Sequence, residues 1–334
     1  MEHRILGGTG IAVSQYALGT MMLGAMGNTD HDESVRMIHT ALDAGVNLVD
    51  TADVYSDGES EVIVGKALAG RRDDVVLATK FGLPTGLGRG ASRRYLHRAV
   101  EASLRRLGTD HIDLYQLHRL DPATDLDETL AALTDLVRHG KVRAIGASVF
   151  PAEKIVEAQW VAAERGHQPF RTEQPPYSVL TRRIEAAVLP TAQRHGMGVL
   201  TYGPLNSGWL SGRADPTTGH RNSPAARPMF DLSKPGVQAK AAAVAELSKL
   251  AADAGLSLPH LALGFVLSHP AVTSVLIGPR RPEQLTDLLS TDLSRLPDDV
   301  LDRIDAIVSP GTDLNPDDIY FTPAALADKR LRRR

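Results

Sequence analysis

The stretch VNLVDTADVYSDGES, residues 46–60, is an apolar run of strand length that stops on Asp50, with Tyr55 five residues further on. A run suited to burial that ends in an ionisable group predicts a strand whose C-terminal end opens onto a site, provided that the pattern recurs. The chain repeats it at 16–20 (YALGT), 75–80 (VVLATK), 112–118 (IDLYQLH), 142–147 (VRAIGA), 171–174 (RTEQ), 197–202 (MGVLTY) and 273–277 (TSVLI). With 46–50, that makes eight runs, and they alternate with stretches of helical period. The clearest helix is 92–107, where Ser92 is placed to cap, Leu96, Val100, Leu104 and Leu107 share a face, and Gly108 stops the helix. Others are expected at 33–44, 59–69, 127–139, 152–165, 183–195, 237–253, 259–268 and from Pro282 onward, with Pro190 kinking or splitting the one at 183–195.

Strands alternating with helices predict parallel βαβ units, and nearly continuous apolar runs suit strands covered on both faces. The expected fold is α/β, a closed (β/α)8 TIM barrel with a short N-terminal β-hairpin at HRILGGTGIAVS (3–14) and a long loop after the seventh strand, 203–236. An open doubly wound sheet is the competing arrangement. It is disfavoured because no Gly-x-Gly-x-x-Gly follows the first strand, and GLGRG at 86–90 has the wrong spacing and follows the third. One barrel domain is expected over 1–334, with 324–334 as a flexible basic tail.

Cysteine is absent, which removes disulfides, thiolate metal ligands and cysteine nucleophiles and suits a reducing compartment. A net charge of −3 with no basic stripe through the folded part argues against nucleic acid as a partner. No run of about 18 apolar residues occurs, and the first residues lack a signal pattern, so neither a membrane nor export is indicated. The expected compartment is the cytoplasm, and the expected partner is a small molecule.

In a barrel of this kind, sites lie at the C-terminal ends of the strands. The residues there are Asp50 with Tyr55, Lys80, His118, Ser148, Gln174 and Tyr202. Singly, each has a plainer reading: Asp50 as a helix cap, Lys80 as a surface lysine, His118 as a hydrogen-bonded structural histidine, Tyr55 as half-buried packing. Together they make chemical sense. A phenol with an ordinary pKa of about 10 is a poor proton donor near neutrality unless a cation favours its anion. Lys80 can supply that cation, Asp50 can keep Lys80 charged despite burial, and His118 can donate to a substrate oxygen. The set suits protonation of a carbonyl oxygen as a hydride reaches the carbon, and since no side chain supplies a hydride, a nicotinamide cofactor is implied. Ser148, Gln174 and Tyr202 could receive its ring. Arg280 and Arg281, after the eighth strand, suit a 2′-phosphate, which favours NADPH (NADP+) over NADH. A metal-dependent hydrolase or isomerase would need clustered acidic and histidine ligands, and only Asp50 and His118 stand at the strand ends.

These motifs resemble the aldo-keto reductase family. ALDAGVNLVDTADVYSDGESEVIVGKAL (41–68) resembles that family's signature around a catalytic aspartate and tyrosine, and LATKFG (77–82) and DLYQLHRLDP (113–122) resemble the segments that carry its lysine and histidine. The resemblance covers nearly the whole chain. It implies an NADPH-dependent carbonyl reductase with Asp50, Tyr55, Lys80 and His118 as a catalytic tetrad, Tyr55 being the general acid in reduction and the base in the reverse direction. TYGPLNSGWLSGR (201–213) is similar to the family's pyrophosphate loop, which implies Gly203, Leu205, Ser207, Leu210 and Arg213 as cofactor contacts. Arg280 and Gln284 match its adenosine-phosphate segment, and Gly19, Thr20, Asp50 and Gly278 join the implied cofactor set.

There are departures. Val149 follows Ser148 where the family usually has Asn, which removes one amide that would hold the nicotinamide, and Ser56 replaces a frequent glycine after the tyrosine, a change expected to be minor. The loop MMLGAMG (21–27) suggests a pliable apolar pocket wall that Phe81 could join, and Trp209, Tyr177 and Phe230 are further candidates for stacking on a substrate. The stretch NPDDIYFTP (315–323) could form a lid. Some members of the family accompany membrane channels, so the alternative reading is a cofactor-binding regulatory or scaffold subunit with little turnover.

Overall fold

The computed structural model describes residues 1–213, 227–291, 295–319 and 328–332. They fall into two compact units, one of Met1–Pro175, Ala186–Tyr202 and Leu267–Ser294, the other of Pro176–Glu185, Gly203–Val266 and Arg295–Arg334.

In the first unit, β1 (His3–Ile5) and β2 (Ala12–Ser14) form the expected antiparallel hairpin. The strands β3 (Tyr16–Gly19), β4 (Leu48–Asp50), β5 (Val76–Phe81), β6 (Ile112–Leu117), β7 (Val142–Ser148), β8 (Thr172–Gln174), β9 (Gly198–Thr201) and β10 (Val272–Ile277) pair in parallel and close into a barrel, β10 beside β3. Their order around the barrel is their order in the chain, as a (β/α)8 fold requires, because each right-handed crossover sets the next strand beside the last.

The helices along the chain are α1 (His31–Asp43), α2 (Glu59–Leu68), α3 (Arg93–Leu107), α4 (Leu126–Arg138), α5 (Ala152–Arg165), α6 (Val188–Arg194), α7 (Pro235–Asp253), α8 (Leu258–Ser268), α9 (Pro282–Leu289), α10 (Asp298–Ile307) and α11 (Lys329–Arg332), the last a single turn within the tail expected to be flexible. In α3 the Ser92 side chain accepts from the Tyr95 N–H, and Gly108 closes the helix at φ +64. The helix expected at 183–195 is divided into a turn at Arg183–Ala186 and α6, and Pro190 falls in the first turn of α6, where a missing N–H breaks no bond. The helix α10 was not among the expected ones.

One apolar layer fills the N-terminal half of the barrel: Ala17, Leu48, Ala78, Leu114, Ala144, Leu200 and Leu276, with Leu6 and Val13 of the hairpin packed against them. Arg4 Nη1 donates to the Val272 carbonyl at 2.8 Å, which pins the hairpin to the start of β10. Burying Leu6 completely stabilises this plug by about 1.5–3 kcal/mol. The opposite mouth is therefore the end available for chemistry.

In the second unit, Lys240 of α7 donates to both carboxylate oxygens of Asp318 at 2.9 Å, with neither side chain exposed, and lies 4.6 Å from the Trp209 ring centroid. Trp209 is buried, stacked on Phe230 at 5.9 Å, and its Nε1–H goes to the Met229 carbonyl. Tyr177 packs against Phe265 and donates to Glu185 at 2.7 Å. Trp209 and Tyr177 are thus core packing rather than exposed stacking faces. Residues 214–226 of the long loop, Tyr320, Phe321 and the rest of 320–327 from the anticipated lid and tail, and 333–334 lie outside the described residues. No single helix among the described residues is long and apolar enough to cross a membrane.

Candidate active site

Side chains alternate across a strand, so the residue two positions beyond each member of the apolar layer also faces the barrel interior. That rule places Gly19 above Ala17, Asp50 above Leu48, Lys80 above Ala78, Gln116 above Leu114, Gly146 and then Ser148 above Ala144, Tyr202 above Leu200, and Gly278 above Leu276. The register agrees: Asp50 pairs with Gly19, Lys80 with Gln116, and Ser148 with Gln174. A polar layer thus sits directly on an apolar one. Gly146 is required for its packing, since a Cβ there would lie 2.0 Å from Thr172 Oγ1 and 3.2 Å from Gln116 Cγ.

Asp50 is the hub. One carboxylate oxygen pairs with the Lys80 ammonium, and the other accepts from Gln116 Nε2 at 3.1 Å and Gln174 Nε2 at 3.0 Å. Lys80 Nζ also donates to the Thr51 carbonyl at 2.9 Å and to the Tyr55 hydroxyl at 3.4 Å. Burial alone would push the Lys80 ammonium down, but the Asp50 charge and hydrogen bond, with those of Tyr55, hold its pKa above the ordinary lysine value. It is a permanent cation at the phenol. The helix-cap reading of Asp50 and the surface reading of Lys80 both fail, because each is buried on the other.

Tyr55 is carried by the loop after β4, pinned by the Thr51 N–H on the Ala78 carbonyl and the Asp53 N–H on the Lys80 carbonyl. Behind it Asp53 receives the Tyr95 hydroxyl, and Arg106 pairs with Glu61, which also accepts from Thr79. Burial first, then the Glu61 charge, pushes the Asp53 carboxyl up to about 7. Beyond Tyr55 the backbone is left-handed at Ser56 (φ +50), Asp57 (φ +55) and Gly58 (φ +89). The serine expected to be a minor change therefore occupies a conformation that favours glycine. Its hydroxyl compensates: Ser56 Oγ accepts from the Met26 N–H at 3.0 Å and donates to the Leu23 carbonyl at 3.1 Å, while Glu59 accepts from the Ala25 N–H and pairs with His31 at 2.6 Å. The methionine-rich loop is tied to the tyrosine loop by these side chains. Met26 is 50% exposed, so it is not a core methionine, whereas Phe81 is fully buried, stacked on Tyr115.

His118 faces Tyr55 edge to face, ring centroids 5.8 Å apart. Its backbone N–H is held by the Phe81 carbonyl, and its Nδ1 is buried without a partner. Burial, then the Lys80 and Arg119 charges, pushes its pKa well below the usual histidine value, so the imidazole is neutral at physiological pH.

Ser148 Oγ donates to the Gln174 carbonyl at 2.8 Å. The Gln174 amide nitrogen is spent on Asp50, but no residue among those described donates to its Oε1, which leaves an acceptor for a carboxamide. Val149 has φ +57, a strained setting for a β-branched residue. The next N–H, of Phe150, is taken by the buried Glu173 at 3.0 Å, and burial pushes that carboxyl up to about 8. Thr20 is engaged with the Asp50 carbonyl and Ser60, and so enters the site as a brace. At the start of α9, Gln284 Oε1 accepts from the Arg280 N–H at 2.9 Å, a capping arrangement that steadies the turn after Gly278. Arg280 is half-buried and Arg281 exposed. Gly203, Leu205, Ser207, Leu210 and Arg213 belong to the second unit, where Asn206 and Ser207 are left-handed and Asn206 Nδ2 donates to Thr181.

Sequence reasoning missed Gln116, although a polar residue two positions before His118 in an apolar strand was a readable signal. It also missed Arg119, which leaves β6 immediately after His118, and the Asp53–Glu61–Arg106 group behind the tyrosine loop, for which spacing offered no clue.

A closed parallel barrel plugged at one end, with its polar side chains converging at the other, defines the (β/α)8-barrel enzyme class. Within that class a family model described as "Aldo/keto reductase family" matches residues 16–309, and the chain belongs to this family of oxidoreductases, which generally use NAD(P)H. It is 39% identical to "Aldo-keto reductase YhdN" of Bacillus subtilis (strain 168) over 296 residues, which covers 86% of this chain and 88% of that one. It is also 39% identical over 304 residues to "Uncharacterized oxidoreductase YrpG" of the same organism, covering 86% and 90%. A "Putative voltage-gated potassium channel subunit beta" of Schizosaccharomyces pombe (strain 972 / ATCC 24843) is 31% identical over 322 residues, covering 92% of this chain and 94% of that one.

Proposed function

We propose that this chain is a cytoplasmic, NADPH-dependent reductase of small aldehydes or ketones, able to run in reverse on the corresponding alcohols. The observation that carries the reading is the Lys80 ammonium, buried and kept charged by Asp50, 3.4 Å from the Tyr55 hydroxyl. Reduced nicotinamide, when bound, supplies the hydride. Tyr55 holds the proton that the carbonyl oxygen needs, and the neighbouring cation stabilises the phenolate left behind. Asp50, held by Gln116 and Gln174, fixes Lys80 in position. The neutral His118 ring donates a hydrogen bond to the same oxygen without competing for the proton, which suits its unpartnered, buried Nδ1. The acceptor on Gln174 and the hydroxyl of Ser148 fit a carboxamide, and Arg280 at the start of α9 fits a phosphate. Titration with NADPH and separately NADH, following fluorescence quenching, tests the cofactor assignment, with Arg280→Ala expected to weaken NADPH more than NADH. Loss of carbonyl reduction in Tyr55→Phe, with cofactor binding retained, tests the chemistry.

The resemblance to a protein named as a potassium channel subunit favours a second reading, a cofactor-binding subunit of a larger assembly. Bound NADPH that is oxidised no more than once per chain by any aldehyde offered is the result that reading requires.

A further inference from the structure

We infer that Arg119 forms an anion-binding subsite beside His118, and that the preferred substrates are aldehydes carrying a carboxylate. The inference rests on the carbonyl-reductase reading and deepens it.

Arg119 is half-buried at the mouth, directly after the end of β6. Its Nη1 donates to the His118 carbonyl at 2.7 Å and to Ser148 Oγ at 3.4 Å, which fixes the guanidinium over the tops of β6 and β7. Among the described residues its Nε and Nη2 donate to nothing, and no carboxylate lies within ion-pair distance. Three other arginines withdrawn from water differ: Arg72 sits on Asp113 at 2.8 Å, Arg106 on Glu61 at 2.6 Å and Arg182 on Glu185 at 2.8 Å. Glu173 feels the Arg119 charge, but its burial raises its carboxyl to about 8 and keeps it mostly protonated at neutral pH.

A charge balance follows. Lys80 is cancelled by Asp50, and His118 and Glu173 are neutral, so among the described residues around the catalytic group the Arg119 charge is left without a counter-charge. The free Nε and Nη2 edge of a guanidinium is the planar fork that matches a carboxylate with two parallel hydrogen bonds. Its place next to His118 puts that fork beside the ring that orients the reacting oxygen. A substrate with an aldehyde at one end and a carboxylate at the other would satisfy both.

The experiment compares para-carboxybenzaldehyde with its neutral methyl ester, two substrates with the same reacting group. With NADPH, the acid is expected to have a kcat/KM at least about tenfold higher than the ester, the scale of a charge-assisted hydrogen bond. In Arg119→Met that ratio is expected to fall to about one or below, and in Arg119→Lys to be only partly restored, because a point charge lacks the fork. A merely structural role would lower both substrates together and leave the ratio unchanged. Equal use of acid and ester by the wild-type protein would overturn the inference. So would an equal loss for both in Arg119→Met with weaker NADPH binding, which would assign the arginine to the cofactor. If neither aldehyde is reduced, the carbonyl-reductase reading has failed, and titration of the NADPH complex with benzoate against benzamide then decides the subsite alone. Benzoate binding that Arg119→Met abolishes would support it, and indifference to charge would sink it.

Discussion

The two units each bury a lysine on an aspartate, and the pairs behave differently. Lys80–Asp50 in the barrel mouth and Lys240–Asp318 in the second unit are both withdrawn from water. Burial pushes the Lys240 ammonium down and the Asp318 carboxyl up despite their mutual attraction, whereas at Lys80 the attraction of Asp50 and Tyr55 exceeds burial and holds the ammonium up. What separates them is the third partner. Lys240 lies against the Trp209 ring, a face with no proton to move, and its pair ties α7 to the segment around Asn315. Lys80 lies against a hydroxyl. A buried ion pair by itself is therefore weak evidence of chemistry, and its neighbour decides.

Substitution can break this comparison. Lys80→Met is expected to lower carbonyl reduction by about 10²–10⁴-fold, the range of general acid–base assistance, with NADPH binding measured in parallel by quenching. Lys240→Met is expected to leave kcat nearly unchanged but to cost about 3–5 kcal/mol in chemical denaturation, because Asp318 remains as an uncompensated buried charge. Replacing both, Lys240→Met with Asp318→Leu, should recover most of that loss. Equal kinetic damage from the two lysine substitutions would refute the distinction.

A smaller effect is expected at Ser56. Ser56→Ala keeps the left-handed strain and loses two hydrogen bonds, and should destabilise by about 1–2 kcal/mol, whereas Ser56→Gly relieves the strain and should cost less. Both should raise KM more than they lower kcat, since they release the 21–27 loop rather than the proton donor.

A further test concerns pH. Asp53 and Glu173 have folded pKa values raised to about 7 and about 8, above their unfolded values. Between those limits the folded state holds more protons, so their contribution to stability is present at low pH and is lost as pH rises through the folded values. The melting temperature of Asp53→Asn with Glu173→Gln should therefore fall less than that of the wild type between about pH 5 and pH 8, relative to each protein at pH 5. A wild-type profile that rises over that window would contradict the assignment.

Much of this was legible in the residues. The strand ends could be read because burial on both faces demands apolar runs, and a polar residue that ends such a run has only the mouth to face. The two-residue period carried Asp50 and Lys80, and one step further along their strands His118 and Ser148, from the chain to one mouth. The aromatic candidates went the other way: Phe81, Trp209 and Tyr177 are packing, since composition does not tell which flat side chains the core consumes. Val149 and Ser56 stood out in the sequence as departures, but their left-handed backbones did not.

The sequence by itself determined the parallel barrel, the N-terminal hairpin and the identity of the groups at the strand ends, because periodicity and alternation are local properties of the chain. Only the tertiary structure decided which charges cancel. That Lys80 is neutralised while Arg119 is not depends on distances of a few ångströms between strands far apart in the chain, and on burial that protonates one carboxyl and leaves another ionised.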